Sequence, residues 1–249
     1  MTTAKNIYNF IDGIAPFNTM EEWDNAGFLI GDINTPLTKV VLALDATPTV
    51  IRRAKDLGAE MVLSHHPIIF GSIRNVMTGT AVYTAVENGV AVLSAHTNFD
   101  KAKGGISDNL AKRLELKNIH QIGDTYVYAG ELENEMNVHD FARFVSEKLA
   151  VSGIRYTKTD KKIKTVAVGG GSCDEYAALA FENADAFVTG EVKHHIYLEW
   201  AEKEKPIFSA GHFETESDSF KMLTEKLQAE FPTVQFIWGE QENPVLALD

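Results

Sequence analysis

Cysteine is almost missing from this chain: among 249 residues the single example is Cys173. One thiol excludes an intramolecular disulfide framework and a cysteine-rich zinc finger, and it fits a reducing, cytoplasmic setting. Cys173 lies in a glycine-rich turn and reads as an inert small residue rather than a nucleophile. Long apolar runs are missing too, since no stretch approaches the roughly 20 residues that a membrane helix needs. Residues 1–16 carry an amphipathic pattern without a small-residue cleavage site, so no signal peptide is expected. Positive charge is scarce: 23 Lys and Arg face 35 Asp and Glu, a net charge of −12. That balance speaks against a protein that grips a nucleic acid through a broad basic surface. The local basic cluster of Lys158, Lys161, Lys162 and Lys164 reads as a solvated lead-in to a strand.

Apolar residues make up 45% of the chain, ample for a packed core. Three short apolar runs end in polar side chains: Met61-Val62-Leu63-Ser64-His65-His66, Val92-Leu93-Ser94-Ala95-His96 and Ile207-Phe208-Ser209-Ala210-Gly211-His212. Each predicts a buried strand whose carboxyl end delivers ligand chemistry, where sites form in open α/β sheets.

The strands belong to an internal repeat. Val40 to Asp45, a helix, and Gly58 to Ser64 align without gaps to Thr165 to Gly170, a helix, and Asn183 to Thr189, an offset of 125 (165 − 40). The following strand matches at an offset of 115, Val92 to Ile207. The expected fold is α/β, two similar domains from a repeated β-α-β unit, with mostly parallel sheets and helices packed on them. Helices are expected over 47–57, 79–88, 105–114, 138–149, 172–183 and 215–231, and an edge strand over 126–133. The expected division is 1–125 plus 206–249 for a first domain carrying the metal ligands. Residues 126–205 would form a second domain facing the metal cleft.

His65 and His66 are adjacent at a strand end, where Pro67 favours extended geometry and the two rings diverge. Asp100 follows the dense polar run His96-Thr97-Asn98, and His212 and Glu216 stand four apart on one helical face. His65, His66, Asp100, His212 and Glu216 form the expected metal set. Mixed imidazole and carboxylate donors suit Zn²⁺, Mn²⁺, Fe²⁺, Co²⁺ or Ni²⁺ without choosing among them. Five groups cannot close the spheres of two divalent ions, so positions for water and substrate stay open, as in catalytic centres. Two ions about 3.5–4 Å apart would activate a bridging water. In the second copy, Thr189-Gly190-Glu191-Val192-Lys193-His194-His195 stands where His65-His66 stands in the first. Glu191 and His195 are the candidates for substrate contact or proton transfer. Gly169-Gly170-Gly171 reads as a tight turn, lacking the lysine of a phosphate-binding loop. Trp23-Asp24-Asn25-Ala26-Gly27 reads first as a structural turn.

These motifs, together with Leu44-Asp45-Ala46-Thr47-Pro48, His96-Thr97-Asn98-Phe99-Asp100 and Gly211-His212-Phe213-Glu214-Thr215-Glu216, resemble a known family over nearly the whole chain. It is the dinuclear-metal-centre family catalogued as GTP cyclohydrolase type 2 homologues, or Ngg-interacting factor three-like proteins. The family's metal ligands fall on the same five residues. The resemblance implies two α/β domains, two divalent ions per subunit and a ring-shaped homohexamer. The chain departs from the family at Glu191, where an Asp is usual, and at His194, where an aromatic is usual.

Two functions compete on this footing. One is a two-metal hydrolase acting on a small polar, nucleotide-like substrate. The other is a non-enzymatic hexameric scaffold or regulatory protein whose ions serve assembly.

Overall fold

The computed structural model describes residues 1–246 and shows a two-domain α/β fold. The first unit comprises Met1–Phe99 and Phe220–Glu242, the second Asp100–Ser219 and Asn243–Asp249.

In the first unit the order is α1 (Ala4–Ile14), β1 (Gly27–Ile30), β2 (Lys39–Asp45), α2 (Pro48–Asp56), β3 (Met61–His66), α3 (Ala81–Asn88) and β4 (Ala91–Ser94). After the second unit's residues, α10 (Leu223–Glu230) and β11 (Gln235–Trp238) complete it. The sheet order is β1-β4-β3-β2-β11, parallel except for β1 against β4. The middle strands read as continuous apolar runs because helices cover both faces of a parallel sheet; Val40 to Leu44 and Met61 to His65 are all buried. Thr47 caps α2 by accepting from the Val50 N–H, with Pro48 in the first turn where its missing N–H costs nothing. The β-branched α3 still forms, capped by Thr80 and ended by Gly89 at φ 62°.

The short α4 (Thr97–Lys101) crosses the division of the chain. The second unit continues with α5 (Ile106–Arg113), β5 (Lys117–Gln121), β6 (Tyr128–Met136), α6 (Val138–Leu149), β7 (Arg155–Tyr156), β8 (Ile163–Gly169), α7 (Ala177–Asn183), β9 (Ala186–Thr189), α8 (His194–Glu202) and β10 (Ile207–Ser209). After β10 comes α9 (His212–Lys221), which, like α4, crosses the division of the chain. Its sheet runs β5-β6-β8-β9-β10-β7. Here β8, β9 and β10 are parallel while β5, β6 and β7 pair antiparallel, so this sheet is mixed rather than mostly parallel.

The repeat holds at the level of hydrogen bonds. Glu60, one residue before β3, accepts from the backbone N–H groups of Thr38 and Lys39 where β2 begins. Asp185, one residue before β9, accepts from Lys164 and Thr165 where β8 begins. Each carboxylate staples the start of one strand to the start of its neighbour.

Several sequence expectations need correction. Residues 206–219 belong to the second unit, not the first, because Phe208 and Ser209 of β10 pair with Val188 and Thr189 of β9. Residues 100–125, also expected in the first, belong to the second. Asp100, His212 and Glu216 therefore sit in the second unit, whereas His65 and His66 sit in the first. Segment 126–133 is not an edge: β6 lies between β5 and β8. The polar β5, Lys-Asn-Ile-His-Gln, is irregular at Asn118 (φ 53°) and shows no readable alternation. The helix expected over 215–231 is two, beginning at His212 just after Gly211 (φ 83°) and broken at Met222.

Candidate metal centre

Imidazole binds a metal through one ring nitrogen, and a hydrogen bond at the other fixes which one is available. At the end of β3, His65 Nδ1 donates to the Ala95 carbonyl at 2.8 Å and His66 Nδ1 to Asp45 Oδ1 at 2.8 Å. Asp45 closes β2, in register opposite His66, so the parallel pairing itself supplies the partner. His96, just beyond β4, donates its Nδ1 to Asp24 Oδ1 at 2.8 Å. Carbonyl and carboxylate oxygens only accept, so Nδ1 carries a proton in all three rings and Nε2 is the nitrogen that can offer a lone pair. Nitrogens of His65, His66 and His96 lie within 4.8 Å of one another. The ring of His65 is fully buried, with Phe220 at 5.3 Å between centroids.

Asp24 is more than a turn residue. It also accepts from the Thr97 backbone and hydroxyl and from the Asn25 N–H. Burial raises a carboxyl, but His96 and these donors outweigh it and hold Asp24 at about 2. The Trp23-to-Gly27 turn, which reads in the sequence as a structural turn, thus delivers an anion to His96.

The second unit assembles its own cluster. Across the first turn of α9, His212 Nε2 stands 3.2 Å from Glu216 Oε2, as the four-residue spacing requires. His212 Nδ1 donates to Glu191 Oε1 at 2.9 Å. Burial disfavours a charged imidazole, yet Glu216 and Glu191 overcome it and push His212 up to about 9. With Nδ1 already committed to Glu191, a neutral Nε2 facing a carboxylate oxygen needs a proton or a cation held between them. Carboxylate oxygens of Asp100 and Glu216 lie within 4.8 Å of each other. Gly171 (φ 62°) lies so close that a Cβ there would collide with Glu216 Oε1. The triple-glycine turn is what admits the carboxylate.

That turn is not an anion cradle, because its N–H groups are used internally: Gly170 donates to Ser107 Oγ and Gly171 to Thr215 Oγ1, both at 3.1 Å. Cys173 is buried and gives its thiol to the Gly170 carbonyl at 3.0 Å. Burial, and then the charges of Asp100 and Glu216, push the thiol well up, so it is no nucleophile at neutral pH. Lys193 is tied to buried Asp174 through both its N–H (2.8 Å) and its Nζ (3.0 Å). His195 is exposed in the first turn of α8.

Of the expected residues, His65 and His66 are thus brought together in one unit, and Asp100, His212 and Glu216 in the other. His96 was missed as a site residue. Its signal was present, since a His directly after a buried strand repeats the His65-His66 design.

The Duf34/NIF3 (NGG1p interacting factor 3) family profile matches residues 2–244. The chain belongs to the NIF3 family. Among relatives, it is 33% identical to a GTP cyclohydrolase 1 type 2 homolog of Clostridium perfringens over 95% of each chain. It is 30% identical to that of Clostridium acetobutylicum over 90% of this chain and 89% of the other. Among solved structures, a hypothetical protein of Staphylococcus aureus superimposes with a TM-score of 0.91 at 26% identity, covering 99% of each chain. This NIF3 protein also has no helix, among the described residues, long and apolar enough to cross a membrane.

Proposed function

We propose that this NIF3 protein is a metal-dependent hydrolase with a two-metal centre, acting on a small polar substrate of the nucleotide type. The observation that carries the reading is the common design of the histidines. His65, His66 and His212 each have Nδ1 fixed by an oxygen acceptor, which directs Nε2 to a ligand, as outer partners of metal-binding histidines do. His65, His66, Asp100, His212 and Glu216 are the ligands in this reading, for two divalent ions among Zn²⁺, Mn²⁺, Fe²⁺, Co²⁺ and Ni²⁺. Bound ions would supply Lewis-acid polarisation and activation of water near neutral pH.

The chain's own residues then have distinct tasks. Asp45 and Glu191 orient His66 and His212 through the hydrogen bonds described. Glu191, expected to touch substrate, is thereby a positioning residue. Asp100 and Glu216 supply the negative charge that offsets the cations, and His195, exposed nearby in sequence, is the proton-transfer group. The name shared by the relatives, GTP cyclohydrolase 1 type 2 homolog, supports a nucleotide-like substrate class. A homohexamer and a cytoplasmic setting belong to the same proposal.

Metal analysis of the purified protein, followed by screening of the Zn²⁺, Mn²⁺, Fe²⁺, Co²⁺ and Ni²⁺ forms against nucleotides and phosphoesters, tests the reading. Turnover in at least one metal form and its loss in Glu216→Ala are expected. Stoichiometric metal without turnover in every form would favour the non-enzymatic scaffold. Light scattering that gives a single 27.5 kDa particle would overturn the hexamer.

A further inference from the structure

Large aromatic side chains gain most from burial, so two left in solvent beside a polar cluster invite a functional account. Trp23 is 58% exposed and Phe70 is 63% exposed. They come from loops far apart in sequence, yet their centroids are 5.8 Å apart, and each lies 6.0 Å from the ring of His96. Neither is stacked face to face on its neighbours: the two are inclined at 46° to each other and at 74° and 72° to the imidazole. More than half of each side chain stays open to solvent.

The arrangement is braced from below. Asn25 donates its side-chain amide to the Ile69 carbonyl at 2.7 Å, tying the loop of Trp23 to the loop of Phe70. Asp24, next to Trp23, is anchored on Thr97 and His96. Such bracing keeps both rings in place before a ligand arrives and lowers the ordering cost of binding. The His96 ring also lies 5.1 Å from that of His65 and 5.5 Å from that of His66. A planar ring resting on Trp23 and Phe70 would hold its substituents against the histidine cluster.

We infer that Trp23 and Phe70 are the specificity platform of the site and that they take the planar heteroaromatic ring, a nucleobase, of the substrate by stacking. This rests on the two-metal reading for the chemistry that follows, but the binding step is measurable without turnover. Stacking of a base on an aromatic side chain strengthens binding by about tenfold or more and tolerates different bases.

The test is calorimetric titration of the metal-loaded protein with GMP, AMP, UMP and, as a ringless control, ribose 5-phosphate, with metal content measured on every sample. The expected result is that the nucleotides bind at least about tenfold more tightly than ribose 5-phosphate. Trp23→Ala and Phe70→Ala should each weaken nucleotide binding about tenfold while metal content stays unchanged. Phe70→Leu, which keeps apolar bulk but removes the π-face, should behave like Phe70→Ala. Nucleotides no tighter than ribose 5-phosphate, or variants that bind like the parent, would overturn the platform. So would variants that bind nucleotides normally but lose self-association by light scattering, which would mark the patch as a contact with a second copy. Nucleotide binding that depends on Trp23 in a protein retaining no metal would leave the platform standing and remove the two-metal reading instead.

Discussion

The two copies of the repeat share a backbone plan and differ at one strand end. At the offset of 125, His65 and His66 correspond to Gly190 and Glu191 (65 + 125, 66 + 125). In the first copy the strand end has room for two imidazoles, and Asp45 and the Ala95 carbonyl receive their Nδ1 protons. In the second the chain is drawn tight: a Cβ on Gly190 would lie 2.6 Å from the Gly171 carbonyl oxygen and 2.8 Å from His212 Cα. Glu191 there is a hydrogen-bond acceptor for His212. The same β-α-β frame thus presents nitrogen donors in one copy and, in the other, an acceptor that orients a donor from α9. The two copies share the frame and differ at two adjacent positions of one strand end.

Removing the histidines of copy one should break this contrast most completely. His65→Ala and His66→Ala are expected to lower metal affinity by more than the 10–100-fold typical of losing an outer partner. Circular dichroism should remain that of the folded parent, because two apolar sheets bury enough surface without the metal. Metal content unchanged in both variants would remove these residues from the ligand set.

Glu191→Gln, the copy-two counterpart of His66→Ala, should have a smaller effect, since it acts only through His212. A loss of about 10–100-fold in metal affinity is expected, with Asp45→Asn matching it through His66. Competition against a chelating dye measures both, and parity between Glu191→Gln and His66→Ala would erase the distinction between orienting residue and ligand.

Gly190→Ala sharpens the steric half of the comparison. Its methyl group must displace backbone at Gly171 and His212, so a destabilisation of about 1–3 kcal/mol in denaturant unfolding is expected. An alanine as stable as the glycine would show that copy two is not closed by contact.

The smallest effect concerns the stapling carboxylates that the copies share. Burial raises Glu60 and Asp185, but hydrogen bonds from Thr38 and Lys39, and from Thr165 and Lys164, outweigh it and leave both below their ordinary values of 4.5 and 3.8. A depressed carboxyl adds stability that is present above its unfolded value and lost as pH falls through the folded one. Glu60→Gln and Asp185→Asn should therefore each flatten the acid limb of the stability curve below those values, with little change at neutral pH beyond the lost hydrogen bonds. Unfolding midpoints measured from pH 6 downward decide it, and acid limbs as steep as the parent's would deny both staples.

What the sequence by itself determined is the local periodicity and its punctuation. The gapless repeat, the apolar strands and the pairing of His212 with Glu216 all depend on residues a few positions apart, or on patterns that recur unchanged. Tertiary structure alone decided the rest. Asp24 and His96 are 72 positions apart, Glu191 and His212 are 21, and Asn25 and the Ile69 carbonyl are 44. No periodicity encodes such partners, because a hydrogen bond between distant residues exists only once strands have chosen their neighbours. The allegiance of residues 206–219 was settled in the same way: β10 pairs with β9 on one side and β7 on the other, and that pairing places His212 and Glu216 in the second unit.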